Sequence, residues 1–188
     1  ARDPLRGADT TSTSAATAGE RSTAAVATGV DVADPSVLAD DGGYVLVGTN
    51  IVDGDRTQHL PAATSTDLIA WSATFDLLPE LPSWASTGFT WAPSLTRDGS
   101  EYQLYFAARH TESQRQCIGV ATSDRATGPF RSDSAVPLVC QIALGGSIDP
   151  DVVTIDGERW LMWKNDGNCC DITTTIWVQR LDGTRLVG

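Results

Sequence analysis

The amino-acid sequence predicts an all-β fold built from repeated sheets of four strands each. The first observation behind this prediction is local: short apolar runs rich in Val, Tyr, Trp, Thr and Ile are bounded by Gly, Asp, Asn and Ser. The second is a long repeat, in which a pattern of strand, turn and aromatic-led strand occurs three times. No long segment has the apolar spacing of a helix, so strands are expected throughout.

The repeat is aligned on Pro35, Pro93 and Pro150, which lie 58 and 57 residues apart. Each proline is followed by a predicted strand that ends at an Asp-Gly pair, a sequence compatible with a type I′ hairpin turn. A third element with its own turn completes each copy. The Asp-Gly pairs are Asp41-Gly42, Asp98-Gly99 and Asp156-Gly157, and the strands after them begin at Tyr44, Tyr102 and Trp160.

Each repeat has the character of one blade of a β-propeller, whose sheets bury both faces against their neighbours. Complete propellers have about 4–8 blades, whereas this sequence contains three copies of the repeat. We therefore expect residues 31–188 to form three four-stranded blades of a larger ring that something else must complete. Residues 1–30 are mostly small and polar, and we expect this low-complexity segment to lie outside the blades.

The composition argues against two classes of partner. The net charge of −11 and the isoelectric point near 4.4 oppose binding to nucleic acid, because an acidic surface repels phosphates. No apolar run approaches the roughly 20 residues of a membrane span, so no membrane partner is expected. The chain opens with Ala-Arg-Asp and has no recognisable signal peptide, which is compatible with a mature form whose signal has been removed.

Four cysteines favour an oxidising environment and therefore a secreted protein. Cys117 and Cys140 lie within one repeat, and we predict a disulfide between them. Cys169 and Cys170 are neighbours, and three arrangements stay open for them: a vicinal disulfide, free thiols, or pairing with the other two. The sequence has no pair of CxxC motifs, so no zinc site is expected.

Acidic residues precede the aligned proline in two of the three repeats. Asp34 and Asp149 hold this position in the first and third copies, and Ala92 holds it in the second. Because the inner strands of a propeller converge on its axis, we expect these positions to face one central funnel. We also expect each proline to keep the preceding residue extended and so to fix the direction of its side chain. The alternative is that the Asp-Pro pairs only open turns.

Two carboxylates that face each other across a narrow funnel suit glycoside hydrolysis. In that reaction one ionised carboxylate activates water, and a protonated carboxyl releases the leaving oxygen. The spacing of the repeat therefore favours a hydrolytic site at the start of the inner strands.

Several motifs resemble those of glycoside hydrolase family 43. They are, in order, ADPSVL, WAPSL, GVATSDRATGPF, SIDPDVV and WKNDGN, and the resemblance covers about residues 31–188. It implies a five-bladed β-propeller and an enzyme that inverts configuration at the anomeric carbon. It also implies carbohydrate substrates that contain α-L-arabinofuranosyl or β-xylosyl units.

The resemblance implies roles for individual residues. Asp34 would be the general base that activates water, and Asp149 would be the second aspartate, which tunes the general acid and holds the sugar. Trp91 would be an aromatic side chain at the edge of the substrate pocket. Further candidates for substrate binding at the rim of the funnel are Arg109, His110, Lys164 and Asp166.

The family's general acid, a Glu that opens the fourth blade, has no counterpart in this sequence. We expect a C-terminal half of the propeller, present as a separate chain or as the missing part of a longer one, to supply it. No cofactor is expected, although calcium is compatible with the complete propeller. Competing interpretations are a non-catalytic carbohydrate-binding propeller, an inactive fragment and a protein-interaction propeller. The glutamates that we do not expect to replace the missing acid are Glu80, Glu101, Glu112 and Glu158.

Overall fold

The computed structural model describes residues 32–188, and this range is all-β. The predicted low-complexity segment, residues 1–30, lies outside the described residues. In the described range no helix is long and apolar enough to span a membrane. The strands in chain order are β1 (Ser36–Asp40), β2 (Gly43–Val47), β3 (Ile51–Asp53), β4 (Arg56–Gln58), β5 (Pro61–Ser65), β6 (Phe75–Asp76), β7 (Ala85–Asp98), β8 (Glu101–His110), β9 (Gln116–Ser123), β10 (Ser147–Ile155), β11 (Glu158–Asn165), β12 (Ile176–Asp182) and β13 (Arg185–Val187).

Three main antiparallel sheets follow one another along the chain. The first has the order β1-β2-β5-β6, the second β7-β8-β9, and the third β10-β11-β12-β13. A separate hairpin of β3 and β4 is inserted between β2 and β5. The all-β prediction is therefore confirmed, while the closure of a ring and its total of five blades stay predictions.

The second sheet departs from the predicted four strands, because it has three. Where a fourth strand would pair with β9, there are only isolated bridges, which join Thr122 to Arg131, Ile118 to Val139 and Gln116 to Gly146. The connecting segment contains Pro129, which has no N–H to donate to a strand ladder. The next N–H, of Phe130, donates to the carbonyl of Leu77 in the preceding repeat at 2.8 Å. This segment is thus tied to the first repeat, which prevents it from forming a regular edge strand.

The inner hairpins lie where the Asp-Gly pairs predicted them, but their geometry differs. In the third hairpin Asp156 and Gly157 both have positive φ, 52° and 80°, as a type I′ turn requires. In the first two Asp-Gly pairs only the glycine has positive φ. The type I′ expectation is therefore correct for the third turn alone.

Strand β8 lies at the centre of the described structure and contacts two hydrophobic cores. Leu104 and Phe106 belong to a core shared with Val47 of the first sheet. Tyr105, which points to the opposite face of β8, packs with Trp163 of the third sheet in a second core. This two-sided burial explains why the strand is almost continuously apolar, since a strand covered on both faces needs no polar alternation.

The third sheet has one covered and one open face among the described residues. Leu161 and Trp163 on β11 are buried against the second sheet. The opposite face carries Ile155, Ile176 and Val178, which are 55%, 75% and 57% exposed. Ile176 and Val178 are neighbours on one face of β12, and Ile155 lies apart from them at the end of β10.

Both cysteine pairs form disulfides. Cys117 is bonded to Cys140, as predicted, and Cys169 is bonded to Cys170, which is one of the three arrangements left open by the sequence. The first disulfide fastens β9 to the connection that leads to the third sheet. The second lies in the loop between β11 and β12.

Candidate functional site

The starts of the three repeats meet at one cavity of about 400 Å³. Its lining consists of the residue before each aligned proline, the proline itself and, in two repeats, the residue after it. The side chains of Asp34 and Asp149 are therefore exposed to the same cavity. The lining residues are 34–36, 92–93 and 149–151.

The residue before each proline has the same unusual backbone conformation. The φ angles of Asp34, Ala92 and Asp149 are 49°, 43° and 54°. The expectation that proline would hold these residues extended is therefore wrong, because each lies in the left-handed region. A non-glycine residue in this region costs on the order of 1 kcal/mol or more and persists only where the surrounding structure imposes it.

In the second and third sheets this conformation coincides with a break in the strand ladder. The register shifts between Trp91 and Ser94 in β7, and between Ile148 and Asp151 in β10. Such bulges re-aim a side chain and are common next to active sites. In the second and third repeats the bulge thereby turns the first residue out of the sheet and towards the shared cavity, whereas Asp34 of the first repeat precedes β1.

Asp34 is held by a hydroxyl group from the adjacent strand end. The Oγ1 of Thr49 donates a hydrogen bond to Asp34 Oδ2 at 2.7 Å. The Oγ1 of Thr49 also accepts a hydrogen bond from the backbone N–H of Ala92 at 3.0 Å. Thr49, which follows β2, thus connects the starts of the first and second repeats.

Asp149 has a charged partner instead. The Nζ of Lys164 on β11 lies 2.9 Å from Asp149 Oδ2. The two side chains are 31% and 48% exposed, so water reaches this ion pair and weakens it. The pair places one positive charge beside the cavity and leaves Asp149 accessible from it.

The residues after the prolines hold neighbouring sheets together behind the cavity. Ser36 Oγ accepts the N–H of Leu95 at 3.1 Å, and Ser94 Oγ accepts the N–H of Val152 at 3.3 Å. Ser94 also donates its hydroxyl proton to Asp151 at 3.0 Å. Sequence reasoning missed this contact, although the repeated Ser or Asp directly after each proline was a signal for it.

The other predicted site residues have definite places, but none of them lines the cavity. Trp91 is half-buried on β7 opposite Ala107. The guanidinium carbon of Arg109 lies 3.4 Å from the centre of the Phe89 ring. His110 contacts Ser113 through Nδ1 at 3.1 Å, within the β8–β9 turn.

Asp166 is the last of the predicted rim residues, and its backbone N–H donates to the Gly146 carbonyl at 3.1 Å. Close to it, Arg115 contacts the disulfide that sequence reasoning had left open. Its Nη1 lies 3.1 Å from the Sγ of Cys169 and 2.8 Å from that of Cys170. This contact joins the β8–β9 turn to the loop after β11.

A larger cavity of about 600 Å³ lies at the opposite end of β1, around the first Asp-Gly turn. It contains none of the predicted site residues. At its wall the hydroxyl of Tyr102 donates to Asp40 Oδ1 at 2.7 Å, and this hydrogen bond raises the pKa of Tyr102. The smaller cavity, where the three repeats converge, is the better candidate for a functional site because it collects both Asp-Pro carboxylates.

Within residues 32–188, no group of three or more His, Cys, Asp or Glu side chains is arranged to hold a metal ion. The expectation about calcium concerned the complete propeller, and it stays a prediction. The described glutamates do not line the cavity either. Glu101 and Glu158 follow the inner turns, Glu80 lies 3.7 Å from Arg131, and Glu112 is exposed in the β8–β9 turn.

The sequence matches one protein-family model and is similar to two arabinanases. A sequence model described as "Glycosyl hydrolases family 43" matches residues 25–187. The extracellular endo-alpha-(1->5)-L-arabinanase 2 of Bacillus subtilis is 29% identical over 119 residues, which is 55% of this chain and 23% of that protein. The extracellular endo-alpha-(1->5)-L-arabinanase of Thermotoga petrophila is 32% identical over 117 residues, 53% of this chain and 23% of that protein.

A solved structure shows the same fold. The endo-arabinase of Bacteroides thetaiotaomicron superimposes with a TM-score of 0.67 at 20% identity. The match covers 85% of this chain and 54% of that structure. The chain therefore spans about half the length of the solved enzyme that it resembles.

Proposed function

Because the chain belongs to glycosyl hydrolase family 43, we propose that it forms part of a secreted, inverting glycosidase that acts on arabinose- or xylose-containing polysaccharides. The observation that carries this proposal is the shared cavity, which Asp34 and Asp149 both line. Nearly neutral sugars can approach this acidic protein without the repulsion that phosphates would meet.

In this proposal Asp34 is the general base. It accepts a proton from water as the water attacks the anomeric carbon, and the bond to the leaving oxygen breaks in the same step. Asp149 stays beside the reacting sugar as a second carboxylate. Its contact with Lys164 fixes the direction of the carboxylate and gives the sugar hydroxyls a donor and an acceptor side by side.

The general acid comes from elsewhere in the protein. No glutamate of the described range lines the cavity, and the leaving oxygen needs a proton from a second carboxyl across the site. We propose that a C-terminal part of the propeller, on the same polypeptide or on a second chain, supplies this group and completes the ring.

The open face of the third sheet supports this partner. Ile176 and Val178 on β12, and Ile155 at the other end of β10, are exposed apolar side chains on the side away from the second sheet. Another blade-like sheet that covered this face would bury them as the second sheet buries Leu161 and Trp163. The match covers 54% of the solved endo-arabinase, so that structure contains further residues in which such sheets can lie.

Secretion is supported by the two disulfides, which persist in oxidising compartments. The names of the two arabinanase relatives also describe them as extracellular. Trp91, Arg109, His110 and Asp166 stay proposed as substrate contacts at the rim, where a polysaccharide chain would leave the cavity.

The test is hydrolysis of nitrophenyl α-L-arabinofuranoside, nitrophenyl β-xyloside and linear arabinan by the purified protein. We expect Asp34→Asn to lower the rate about a hundredfold or more, because it removes the base. Asp133→Asn is the matched control, since Asp133 is exposed and lies outside the cavity. It should leave the rate unchanged. Asp34→Asn with the wild-type rate would exclude Asp34 as base.

The composition of the active material tests the partner. Intact mass and a denaturing gel should reveal either a longer polypeptide or a second chain in every active preparation. Full activity in a preparation that contains only residues 1–188 would contradict the proposed source of the acid. Binding of arabinan without hydrolysis in the complete assembly would favour the carbohydrate-binding alternative.

A further inference from the structure

The two candidate carboxylates have partners at equivalent places in their sheets. In the first sheet Ser36 pairs with Val47, and Asp34 and Thr49 lie two residues beyond this pair in each direction. In the third sheet Asp151 pairs with Met162, and Asp149 and Lys164 lie two residues beyond them in the same way. In the second sheet the same offsets from the Ser94–Tyr105 pair lead to Ala92 and Ala107, and across the bulge Ala107 itself pairs with Trp91.

The same structural position therefore carries three different chemistries. It provides a hydroxyl to Asp34 and an ammonium group to Asp149, and in the second sheet it offers only the methyl group of Ala107. A lysine adds a positive charge beside its carboxylate, and a threonine adds none. An adjacent positive charge makes a carboxylate a weaker base towards water. The neutral partner therefore suits Asp34, and the charged partner suits Asp149.

We propose that Thr49 is the positioning residue of Asp34: its hydroxyl holds Oδ2 and directs Oδ1 towards the water in the cavity. This inference rests on the proposed role of Asp34 as general base. Thr49 itself does not line the cavity, so it acts through the aspartate.

The direction of the hydrogen bonds supports this assignment. The backbone N–H of Ala92 can only donate, so it occupies a lone pair of the Thr49 oxygen. The hydroxyl proton of Thr49 is then free to point at Asp34, 2.7 Å away. The two hydrogen bonds thus run in one direction, from the Ala92 amide to the Thr49 hydroxyl and from this hydroxyl to the Asp34 carboxylate.

The backbone around Thr49 leaves it little freedom to move. Its N–H donates to the Ala33 carbonyl at 2.9 Å. The next residue, Asn50, donates its N–H to the Thr90 carbonyl at 2.9 Å and accepts the Thr90 N–H through Oδ1 at 3.1 Å. The hydroxyl is therefore delivered to Asp34 by a segment that is hydrogen-bonded to both the first and the second repeat.

The test compares Thr49→Val with Thr49→Ser in the active protein. Valine keeps the shape and removes the hydroxyl, whereas serine keeps the hydroxyl. We expect Thr49→Val to lower kcat about tenfold or more with KM changed less than about twofold, because a misdirected base slows the chemical step without removing substrate contacts. Thr49→Ser should restore kcat to within about threefold of the wild type.

Thr74→Val is the matched control, since Thr74 also donates its hydroxyl to a side chain, that of Gln58 at 3.1 Å, away from the cavity. It should leave kcat unchanged. A crystal structure of Thr49→Val should show the Asp34 carboxylate rotated from its wild-type position. Wild-type kcat in Thr49→Val, equal losses in the valine and serine variants, or an unmoved carboxylate would each overturn the inference.

The failure of this inference can be told apart from a failure of the proposed function. If Asp34→Asn abolishes activity while Thr49→Val does not, Asp34 is the base and Thr49 does not position it. If Asp34→Asn retains activity, the proposed role of Asp34 is wrong, and the role of Thr49 is lost with it.

Discussion

At the scale of single residues, the left-handed backbone at Asp34, Ala92 and Asp149 distinguishes this cavity from an ordinary turn. The same conformation recurs in all three repeats, including the one that has no carboxylate. It therefore belongs to the construction of the repeat, and the side chain placed on it determines the chemistry. Two copies carry an aspartate there, and one carries an alanine that offers its backbone N–H to Thr49.

Tyr105 gives a residue-scale prediction for stability. Its side chain is fully buried, and desolvation raises its pKa to about 12 from an ordinary value of 10. Between pH 10 and 12 the unfolded chain loses the phenolic proton before the folded protein does. The stabilisation is therefore complete below pH 10 and is lost as the pH rises towards 12, by at most about 2.7 kcal/mol.

Urea unfolding at several pH values from 9 to 12 measures this effect. Tyr105→Phe should remove most of the alkaline loss of unfolding free energy. A smaller loss should remain, because the hydrogen bond to Asp40 also raises the pKa of Tyr102. The same alkaline slope in the wild type and in Tyr105→Phe would show that the buried phenol is not its source.

At the scale of strands and loops, the two disulfides should differ in their contribution to stability. The Cys117–Cys140 bond joins residues 23 positions apart, so it restricts the unfolded chain. We expect Cys117→Ala/Cys140→Ala to lower the free energy of unfolding by about 3 kcal/mol. Cys169→Ala/Cys170→Ala should lower it by less than about 1 kcal/mol, because a bond between neighbours closes almost no loop.

Urea denaturation of the two double variants beside the wild type provides the measurement. Each variant serves as a control for the other, since both lose one disulfide and gain two alanines. A larger loss from the vicinal pair than from the distant pair would contradict this account. It would mean that the contacts of Arg115 with Cys169 and Cys170 contribute more than loop closure does.

Much of the strand order could be predicted from the sequence, because short apolar runs bounded by turn residues, and the Asp-Gly pairs, are local signals. The hairpins after β1, β7 and β10 are examples. The absence of a regular fourth strand from the second sheet could not be predicted, because it depends on the hydrogen bond from Phe130 to Leu77 of another repeat. The β3–β4 hairpin was missed as well, although the sequence has an Asp-Gly pair there, in which Asp53 ends β3 and Gly54 begins the turn.

The candidate site could also be predicted only in part. The spacing of the Asp-Pro pairs predicted that Asp34 and Asp149 would lie together, since equivalent repeat positions converge. It could not predict their positive φ angles, which depend on bulges and inter-sheet contacts. Nor could it predict Thr49, which is fifteen positions from Asp34 in the sequence and meets it only through the β1–β2 register.

At the scale of the whole molecule, the second of the described sheets packs between the first and the third. β8 is covered on both sides, whereas the third sheet is covered only by the second. The cavity lies where the three repeats begin, so any further sheets of the ring would surround it from the remaining side. A glycosidase needs two carboxyls across the sugar, and this arrangement gives the added sheets a direct route to provide the second.

The central claim is that Asp34 activates a water molecule for direct displacement at the anomeric carbon. The most direct measurement follows the anomeric proton by NMR during the first minutes of hydrolysis of an arabinofuranosyl or xylosyl substrate by the active protein. The account predicts that the first product has the configuration opposite to that of the cleaved bond, and that Asp34→Asn forms almost none of it. A first product of retained configuration, or undiminished hydrolysis by Asp34→Asn, would contradict the account.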